Sequence, residues 1–173
     1  YGYYYLISGT KNYLTEFWEK FMSRIENQLN ENKTPTILVV DDNQQNLELL
    51  QAYLEDIDCR TIPAGDGPEA LEIVSQNRPD LILLDVMMPN MSGFEVCKRI
   101  KTDPKTENIP VIMVTALNEF GDIERSIDSG TDDFLSKPVN KLELLTRVKT
   151  MLKLKHLSDK LERTLAYLRE IEK

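Results

Sequence analysis

The sequence is poor in the residues that build disulfide bonds and zinc sites. Its 173 residues include two cysteines, Cys59 and Cys97, and a single histidine, His156. The cysteines lack CxxC spacing and have no histidine nearby, so we expect two small core residues in a reducing cytoplasm. A lone histidine excludes a multi-histidine metal site, and we expect His156 to be a solvated side chain on a charged helix.

Long apolar runs are also absent. No stretch approaches the roughly 18 apolar residues of a membrane-spanning helix, and no basic region followed by an apolar core opens the chain. We therefore expect no membrane insertion, no secretion and a cytoplasmic location. The first residue is Tyr1 rather than Met, from which we expect an excised piece of a longer protein.

Positive charge is scarce. The chain carries 21 lysine and arginine residues against 29 aspartate and glutamate residues, which gives a net charge of −8. Nucleic-acid phosphates bind to clustered lysine and arginine, so we expect no direct contact with nucleic acid. Neither a GxxxxGK[ST] loop nor a GxGxxG loop is present, so nothing in the sequence cradles a nucleoside triphosphate or a dinucleotide.

The composition changes along the chain and indicates three regions. Residues 1–33 hold an aromatic segment and an amphipathic helix, residues 35–155 the main domain, and residues 156–173 a continuation of its last helix. The apolar stripe of the first helix is too aromatic to be left in water, and its partner stays open between the main domain, another protein and a missing neighbour. That stripe consists of Leu14, Phe17, Trp18, Phe21, Ile25 and Leu29.

An apolar run organises the main domain. Residues 81–84 are four successive apolar residues between Pro79 and Pro89, too short for a buried helix, and they predict a strand covered on both faces. Asp85 then stands at the carboxyl end of this strand. Strand signals at 37–40, 59–64, 81–84, 109–114 and 134–135 alternate with helical patterns, with Asn43 capping the first helix and the last helix starting near Asn140.

Five such units predict a doubly wound α/β fold with a five-stranded parallel sheet, because parallel strands require crossover connections. Ligands of such folds bind at the carboxyl ends of the strands. The polar residues predicted at those ends are Asp41, Asp42, Asp85, Thr115 and Lys137.

This polar set has the chemistry of a site for a small phosphoryl group. Three carboxylates and one lysine leave about two negative charges, which is the charge of one divalent ion. Ligands that are all oxygen select Mg²⁺ or Mn²⁺ over zinc. The Thr115 hydroxyl and the Lys137 ammonium suit phosphoryl oxygens. Each residue alone would also fit a helix cap, a strand end or a solvated charge, but convergence from four strands favours the site.

The motifs at these strand ends resemble the response-regulator receiver domain of two-component signalling. The resemblance covers about residues 35–155 and implies a flavodoxin-like sheet of order 2-1-3-4-5. It rests on Asp41-Asp42, Asp85 with Met87-Met88-Pro89 and Gly93 after it, Thr115-Ala116, and Lys137-Pro138.

The resemblance implies a role for each acidic residue. Asp85 would be the phosphoacceptor. Asp42 would bind Mg²⁺ directly, Asp41 would bind it through water, and the backbone carbonyl of Met87 would join Asp85 in completing the protein ligands.

The resemblance also implies a phosphoryl-binding and switch set. Lys137 would bind the phosphoryl oxygens and precede a cis peptide bond to Pro138. Thr115, followed by Ala116, would move to hydrogen-bond the phosphoryl group, and Phe134 would turn inward with it. The change would reach the surface formed by the fourth helix, fifth strand and fifth helix, here called the 4-5-5 surface.

The implied partner is a histidine kinase or a phosphotransfer protein, with no enzyme activity beyond self-phosphorylation and self-dephosphorylation. Apolar residues at Met87 and Leu117 lead us to expect a moderately slow loss of the phosphoryl group. An aspartate-nucleophile phosphatase is disfavoured because it needs an acid at the position of Met87. We interpret Gly93 as a conformationally permissive loop residue, and Asp66, Asp132 and Asp133 as turn residues.

The last helix continues past the usual end of a receiver with an apolar heptad seam. We interpret it as a parallel coiled coil that forms a homodimer and leads to a missing output domain, against a helix that folds back. Short stretches near Asp66, Thr115 and Arg147 resemble receivers fused to diguanylate cyclases. The alternatives are a phosphorylation-independent scaffold or a regulatory fragment of such an enzyme. The seam residues are Leu144, Met151, Leu154, Leu161, Leu165 and Leu168, with Ser158 and Glu172 as its weak positions.

Overall fold

In the computed structural model, which describes residues 34–116 and 128–171, the described strands form one parallel five-stranded sheet with helices packed on it. Its strand order is β2-β1-β3-β4-β5, and every neighbouring pair is parallel. This confirms the predicted flavodoxin-like doubly wound fold. The strands are β1 (Thr36–Val40), β2 (Arg60–Ala64), β3 (Leu81–Asp85), β4 (Val111–Thr115) and β5 (Asp133–Ser136).

The strand positions follow from burial. Every residue of β1, β3 and β4 is buried, because these strands lie inside the sheet and are covered on both faces. The edge strands β2 and β5 are partly exposed, and β2 accommodates Pro63, which an inner strand would exclude. The predicted strands are confirmed with ends shifted by one or two residues, and Ile109 and Pro110 precede β4.

Each helix described begins at a polar cap. Asn43 caps the first helix as predicted, and the side chain of Asn140 accepts a hydrogen bond from the backbone of Glu143. Asp66, interpreted as a turn residue, is instead the cap of the second helix and accepts from Glu69 N at 2.8 Å. The helices are α1 (Gln44–Leu54), α2 (Gly67–Asn77), α3 (Gly93–Thr102) and α4 (Lys141–Ile171).

The predicted fourth helix, through Ile123 and Ile127, lies outside the described residues, and α4 is therefore the fifth helix of the prediction. Gly130, expected to end that helix, has φ of 78°, a left-handed conformation that glycine adopts without steric cost.

The core consists of two layers, one on each face of the sheet. Ile82 and Leu84 of β3 pack in the layer that contains α2 and α3, whereas Leu81 and Leu83 pack in the layer that contains α1 and α4. Successive residues of a strand point to opposite faces, so one apolar strand supplies both layers. All four side chains are fully buried.

Two aspartates predicted as turn residues tie elements together. Asp132 accepts a hydrogen bond from Val111 N at 2.7 Å and pairs with Lys101 of α3 at 2.7 Å. Asp133 is the first residue of β5 and pairs with Arg147 of α4 through both carboxylate oxygens, each at 2.8 Å. The interpretation of Asp133 as a turn residue is wrong because this residue belongs to strand β5.

The long helix α4 changes character along its length. Its first turns pack on α1 and β3, with Leu144 and Val148 fully buried. It then continues as one unbroken helix of 31 residues. Its distal half carries exposed leucines, each 44–60% accessible, and these are Leu154, Leu157, Leu161, Leu165 and Leu168. Among the helices described, none combines the length and apolar character needed to cross a bilayer.

Replacement of Leu144 by alanine should lower the free energy of unfolding by about 2–5 kcal/mol, because it leaves a cavity in a closed layer. Leu142→Ala is the matched control on the same helix turn, where the side chain is 75% exposed, and should change stability by less than about 0.5 kcal/mol. Urea denaturation measures both. Equal losses would contradict the packing described for α4.

Candidate functional site

Polar side chains from four strands meet at one edge of the sheet. Asp41 follows β1, Asp85 ends β3, Thr115 ends β4 and Lys137 follows β5. The chain leaves β1 and β3 toward opposite sides of the sheet, so this edge contains the point at which the strand order reverses. Such a point is the usual ligand site of an open α/β sheet.

Three carboxylates form the centre of the site. Asp41, Asp42 and Asp85 each offer one oxygen, and these oxygens lie within 4.8 Å of one another. Asp41 is 1% exposed and Asp85 3% exposed, whereas Asp42 faces solvent. The donor set is entirely oxygen and is open on the Asp42 side, which fits a hard divalent cation that keeps some of its water.

Lys137 joins two of these carboxylates. Its ammonium nitrogen lies 2.8 Å from Asp41 Oδ2 and 2.9 Å from Asp85 Oδ1. The backbone N–H of Lys137 donates to the carbonyl of Thr115 at 2.7 Å, and the Lys137-Pro138 peptide bond is cis. Three carboxylates and one ammonium leave the cluster with two negative charges.

Burial and charge shift the pKa values of the central pair. Burial raises the pKa of Asp85, and the nearby charge of Asp41 adds to the rise, while Lys137 opposes it. For Lys137, burial lowers the pKa, but the hydrogen bonds and charges of Asp41 and Asp85 outweigh it and hold the pKa above its ordinary value. Lys137 is therefore charged throughout the neutral range.

Asp41 is held by the start of α1 as well as by Lys137. Its Oδ1 accepts from Asn43 N at 2.9 Å, and the amide of Asn46 donates to Oδ1 at 2.9 Å and to Oδ2 at 3.1 Å. Asn46 is absent from the residues predicted from sequence. Its position in the first turn of a helix that starts beside Asp41 is the only signal that pointed to it.

The remaining predicted residues surround this centre at different distances from solvent. Thr115 is buried at the end of β4 and Ala116 after it is exposed. Met87, two residues after Asp85, is 63% exposed. Phe134 lies on β5 and is 44% exposed, so its ring faces outward rather than into the carboxylate cluster. Leu117 lies outside the described residues.

Gly93 allows α3 to begin against Asp85. A Cβ atom on Gly93 would lie 2.2 Å from the backbone oxygen of Asp85, and Gly93 N donates to the carbonyl of Val86 at 3.1 Å. The φ angle of Gly93 is not in the left-handed region. Among the glycines described, Gly130 is the one with a left-handed φ. The interpretation of Gly93 as a conformationally permissive residue is therefore wrong, because it is close approach that excludes a side chain.

The comparisons with known proteins identify the class. The family model described as "Response regulator receiver domain" matches residues 37–149. The chain therefore belongs to the response regulator receiver family of two-component signalling. Domains of this family bind Mg²⁺ in an acidic pocket and interact with histidine kinases or phosphotransfer proteins.

Curated relatives are similar over the same region. The response regulator PleD of Caulobacter vibrioides is 46% identical over 125 residues, which are 72% of this chain and 28% of PleD. The DNA-binding dual master transcriptional regulator RpaA of Synechocystis is 40% identical over 119 residues, 69% of this chain and 49% of RpaA. The chain thus spans between about a quarter and a half of these relatives.

Solved structures agree with the fold. The signal receiver domain of a signal transduction histidine kinase from Syntrophus aciditrophicus has a TM-score of 0.66 and 38% identity, covering 69% of this chain and 91% of that one. A CheY-like receiver domain protein from Methanospirillum hungatei has a TM-score of 0.68 and 26% identity, covering 73% of this chain and 99% of that one.

The raised pKa of Asp85 predicts a pH-dependent advantage for Asp85→Asn in EDTA. The folded chain binds this proton more tightly than the unfolded chain. The resulting stabilisation is complete below the ordinary pKa of aspartate and is lost as the pH rises through the raised pKa. Asparagine does not ionise and suffers no such loss. At neutral pH the free energy of unfolding of Asp85→Asn should therefore be higher than that of the wild type.

Urea titrations across a pH series test this expectation, with the exposed Asp58→Asn as the control for a general change in net charge. The difference between Asp85→Asn and the wild type should grow from acid to neutral pH. A difference that shrinks on the way to neutral pH would contradict the assigned direction.

Proposed function

We propose that the chain is a phosphoacceptor receiver in which Asp85 takes a phosphoryl group from a phosphohistidine of a histidine kinase or phosphotransfer protein. The observation that carries this proposal is Lys137, which contacts Asp41 and Asp85 at once inside a cluster of three carboxylates. A lysine so placed can follow a phosphoryl group on Asp85 without leaving the site.

In the proposed transfer, a carboxylate oxygen of Asp85 attacks phosphorus opposite the imidazole nitrogen. An O–P bond forms, the P–N bond breaks, and its electron pair stays on the imidazole nitrogen. Burial raises the pKa of Asp85, which strengthens its carboxylate as a nucleophile while Lys137 keeps it ionised enough to react. A small acyl phosphate would serve as donor in the same way.

The residues present fit a divalent cation. We propose that Asp42 binds Mg²⁺ or Mn²⁺ directly, Asp41 through water, and that Asp85 and the backbone carbonyl of Met87 complete the protein ligands. The two uncompensated negative charges of the cluster match such an ion. When bound, the cation supplies positive charge that offsets the charge on the transferring group.

The proposed switch uses residues that surround the acceptor. The hydroxyl of Thr115, followed by Ala116, would hydrogen-bond the phosphoryl oxygens, and Phe134 would turn inward from its exposed position. Phe134 lies on β5 next to Asp133, which pairs with Arg147 of α4, so this movement would alter the 4-5-5 surface. The two conformations form a two-state equilibrium that the phosphoryl group biases.

Phosphorylation is tested by intact-mass spectrometry after incubation with a small acyl phosphate and Mg²⁺. The wild type should gain the mass of one phosphoryl group, and Asp85→Asn should gain none. Asp58→Asn, an exposed carboxylate away from the site, is the matched control and should be modified like the wild type. Chelation of Mg²⁺ should stop the reaction, because three carboxylates repel an incoming phosphoryl group.

Two results would contradict the proposed acceptor. Modification of Asp85→Asn at the wild-type rate would place the phosphoryl group elsewhere. If the wild type gains no phosphoryl group with any donor tried, the alternative of a phosphorylation-independent scaffold is favoured. Once formed, the acyl phosphate should decay moderately slowly, because Met87 offers no polar group to a hydrolytic water, and a lifetime of seconds would contradict that expectation.

The exposed leucines of α4 support a second part of the proposal, a homodimer. We propose that residues 35–155 form the receiver and that residues 156–173 form a parallel coiled-coil linker toward an output domain, such as the diguanylate cyclase of similar receivers. The leucine stripe is continuous from Leu154 to Leu168 at helical spacings of three and four residues. Leu157 lies within this stripe, beside the weak seam position Ser158, and was not among the seam residues predicted from sequence.

Dimerisation is tested by sedimentation velocity on Leu161→Ala, with Lys160→Ala as the neighbouring control outside the stripe. Each dimer of the leucine variant loses two buried side chains, each contributing about 1.5–3 kcal/mol, so its dissociation constant should rise at least about 100-fold. The control should match the wild type. Identical behaviour of both variants and the wild type would contradict the linker dimer and favour a fragment whose helix waits for a different protein.

A further inference from the structure

We propose that Asn46 is a positioning residue for Asp41. It holds this carboxylate in place when the ammonium group of Lys137 moves from Asp41 toward a phosphoryl group on Asp85. The inference rests on the function proposed above. It concerns the side chain of α1 that contacts the site without contacting the acceptor.

Asp41 is a buried charge with four hydrogen bonds. It is 1% exposed and accepts from Asn43 N, twice from the Asn46 amide, and from Lys137. A carboxylate so deeply buried is tolerated only when its oxygens are paired. Both of its oxygens contact Asn46, whereas Lys137 contacts only Oδ2.

The ammonium group of Lys137 cannot keep its present hydrogen bond to Asp41 and also bind a phosphoryl group on Asp85. Its ammonium lies between Asp41 and Asp85 at 2.8 and 2.9 Å, where a phosphoryl group on Asp85 would attract it. Movement toward that group weakens the bond to Asp41. Asn43 N and the Asn46 amide then remain, and the amide is the donor that contacts both carboxylate oxygens.

A neutral donor at this position preserves the charge that a divalent cation requires. The cluster keeps two negative charges because Asn46 adds none, whereas a lysine there would cancel one of them. Asparagine thus satisfies Asp41 without competing for the site. Removal of a hydrogen-bond partner of a metal-binding side chain typically costs about 10- to 100-fold in metal affinity or activity.

The start of α1 sets the orientation of Asn46. Asn43 caps this helix, and Asn46 is the third residue after it, in the first turn. Helical side chains are tilted toward the N-terminus of their helix, so the Asn46 amide reaches back to the end of β1. Gln45 on the same turn is exposed, and its hydrogen bond runs from its backbone N–H to Asn43 rather than to Asp41, which makes it a matched control.

Isothermal titration of Mg²⁺ into the wild type, Asn46→Ala, Asn46→Lys and Gln45→Ala tests the inference. Asn46→Ala should raise the dissociation constant for Mg²⁺ by about 10- to 100-fold and slow phosphorylation by a small acyl phosphate at saturating Mg²⁺. Gln45→Ala should leave both unchanged. Asn46→Lys should raise the melting temperature in EDTA and yet weaken Mg²⁺ binding, a divergence that a purely structural role does not produce.

The wild-type arm separates the two possible failures. If the wild type binds Mg²⁺ and is phosphorylated while Asn46→Ala does both equally well, the role of Asn46 is wrong and the proposed function stands. If Asn46→Lys loses melting temperature and Mg²⁺ affinity together, Asn46 is a structural residue and the inference is overturned. If the wild type neither binds Mg²⁺ nor accepts a phosphoryl group, the proposed function fails and the inference fails with it.

Discussion

A single ammonium between two buried carboxylates is the interaction on which this site depends. Asp41 and Asp85 are almost completely removed from water, and each would repel the other without Lys137. Three strands must end at the same height for that contact to form, which the parallel sheet and its register achieve. The residual negative charge then makes the site receptive to a divalent cation, so electrostatics and topology act together.

The surrounding structure keeps this cluster at a fixed place on the sheet. Gly93 lets α3 begin directly against the backbone of Asp85, while the first turn of α1 holds Asp41 from the other side. The apolar layers beneath are closed, with β3 contributing side chains to both. The polar side chains of the site lie at the edge of this closed apolar core. Residues at the edge can therefore move during the reaction without disturbing the packing of the core.

Sequence patterns predicted the parts of the structure that depend on local chemistry. The buried strands β1, β3 and β4 were recognisable because residues covered on both faces form uninterrupted apolar runs. The cluster of acidic residues was then predictable, because the carboxyl ends of parallel strands lie at the same edge of the sheet. The Asn46 contact, the close approach at Gly93 and the pairing of Asp133 with Arg147 were missed. Each is a contact between side chains or backbone brought together by the fold, which periodicity does not encode.

Because α4 is one unbroken helix, a small rotation of its packed end is amplified into a larger displacement of its far end. Val148 is the last fully buried residue among the α4 side chains described. From there to Ile171 the helix continues for 23 residues, which at 1.5 Å per residue extend about 35 Å. By simple geometry, a tilt of about 5° at the packed turns displaces the far end by about 3 Å. A small tilt at the packed turns thus becomes, at the far end, a shift of about half the roughly 5–6 Å between neighbouring side chains on a helix surface.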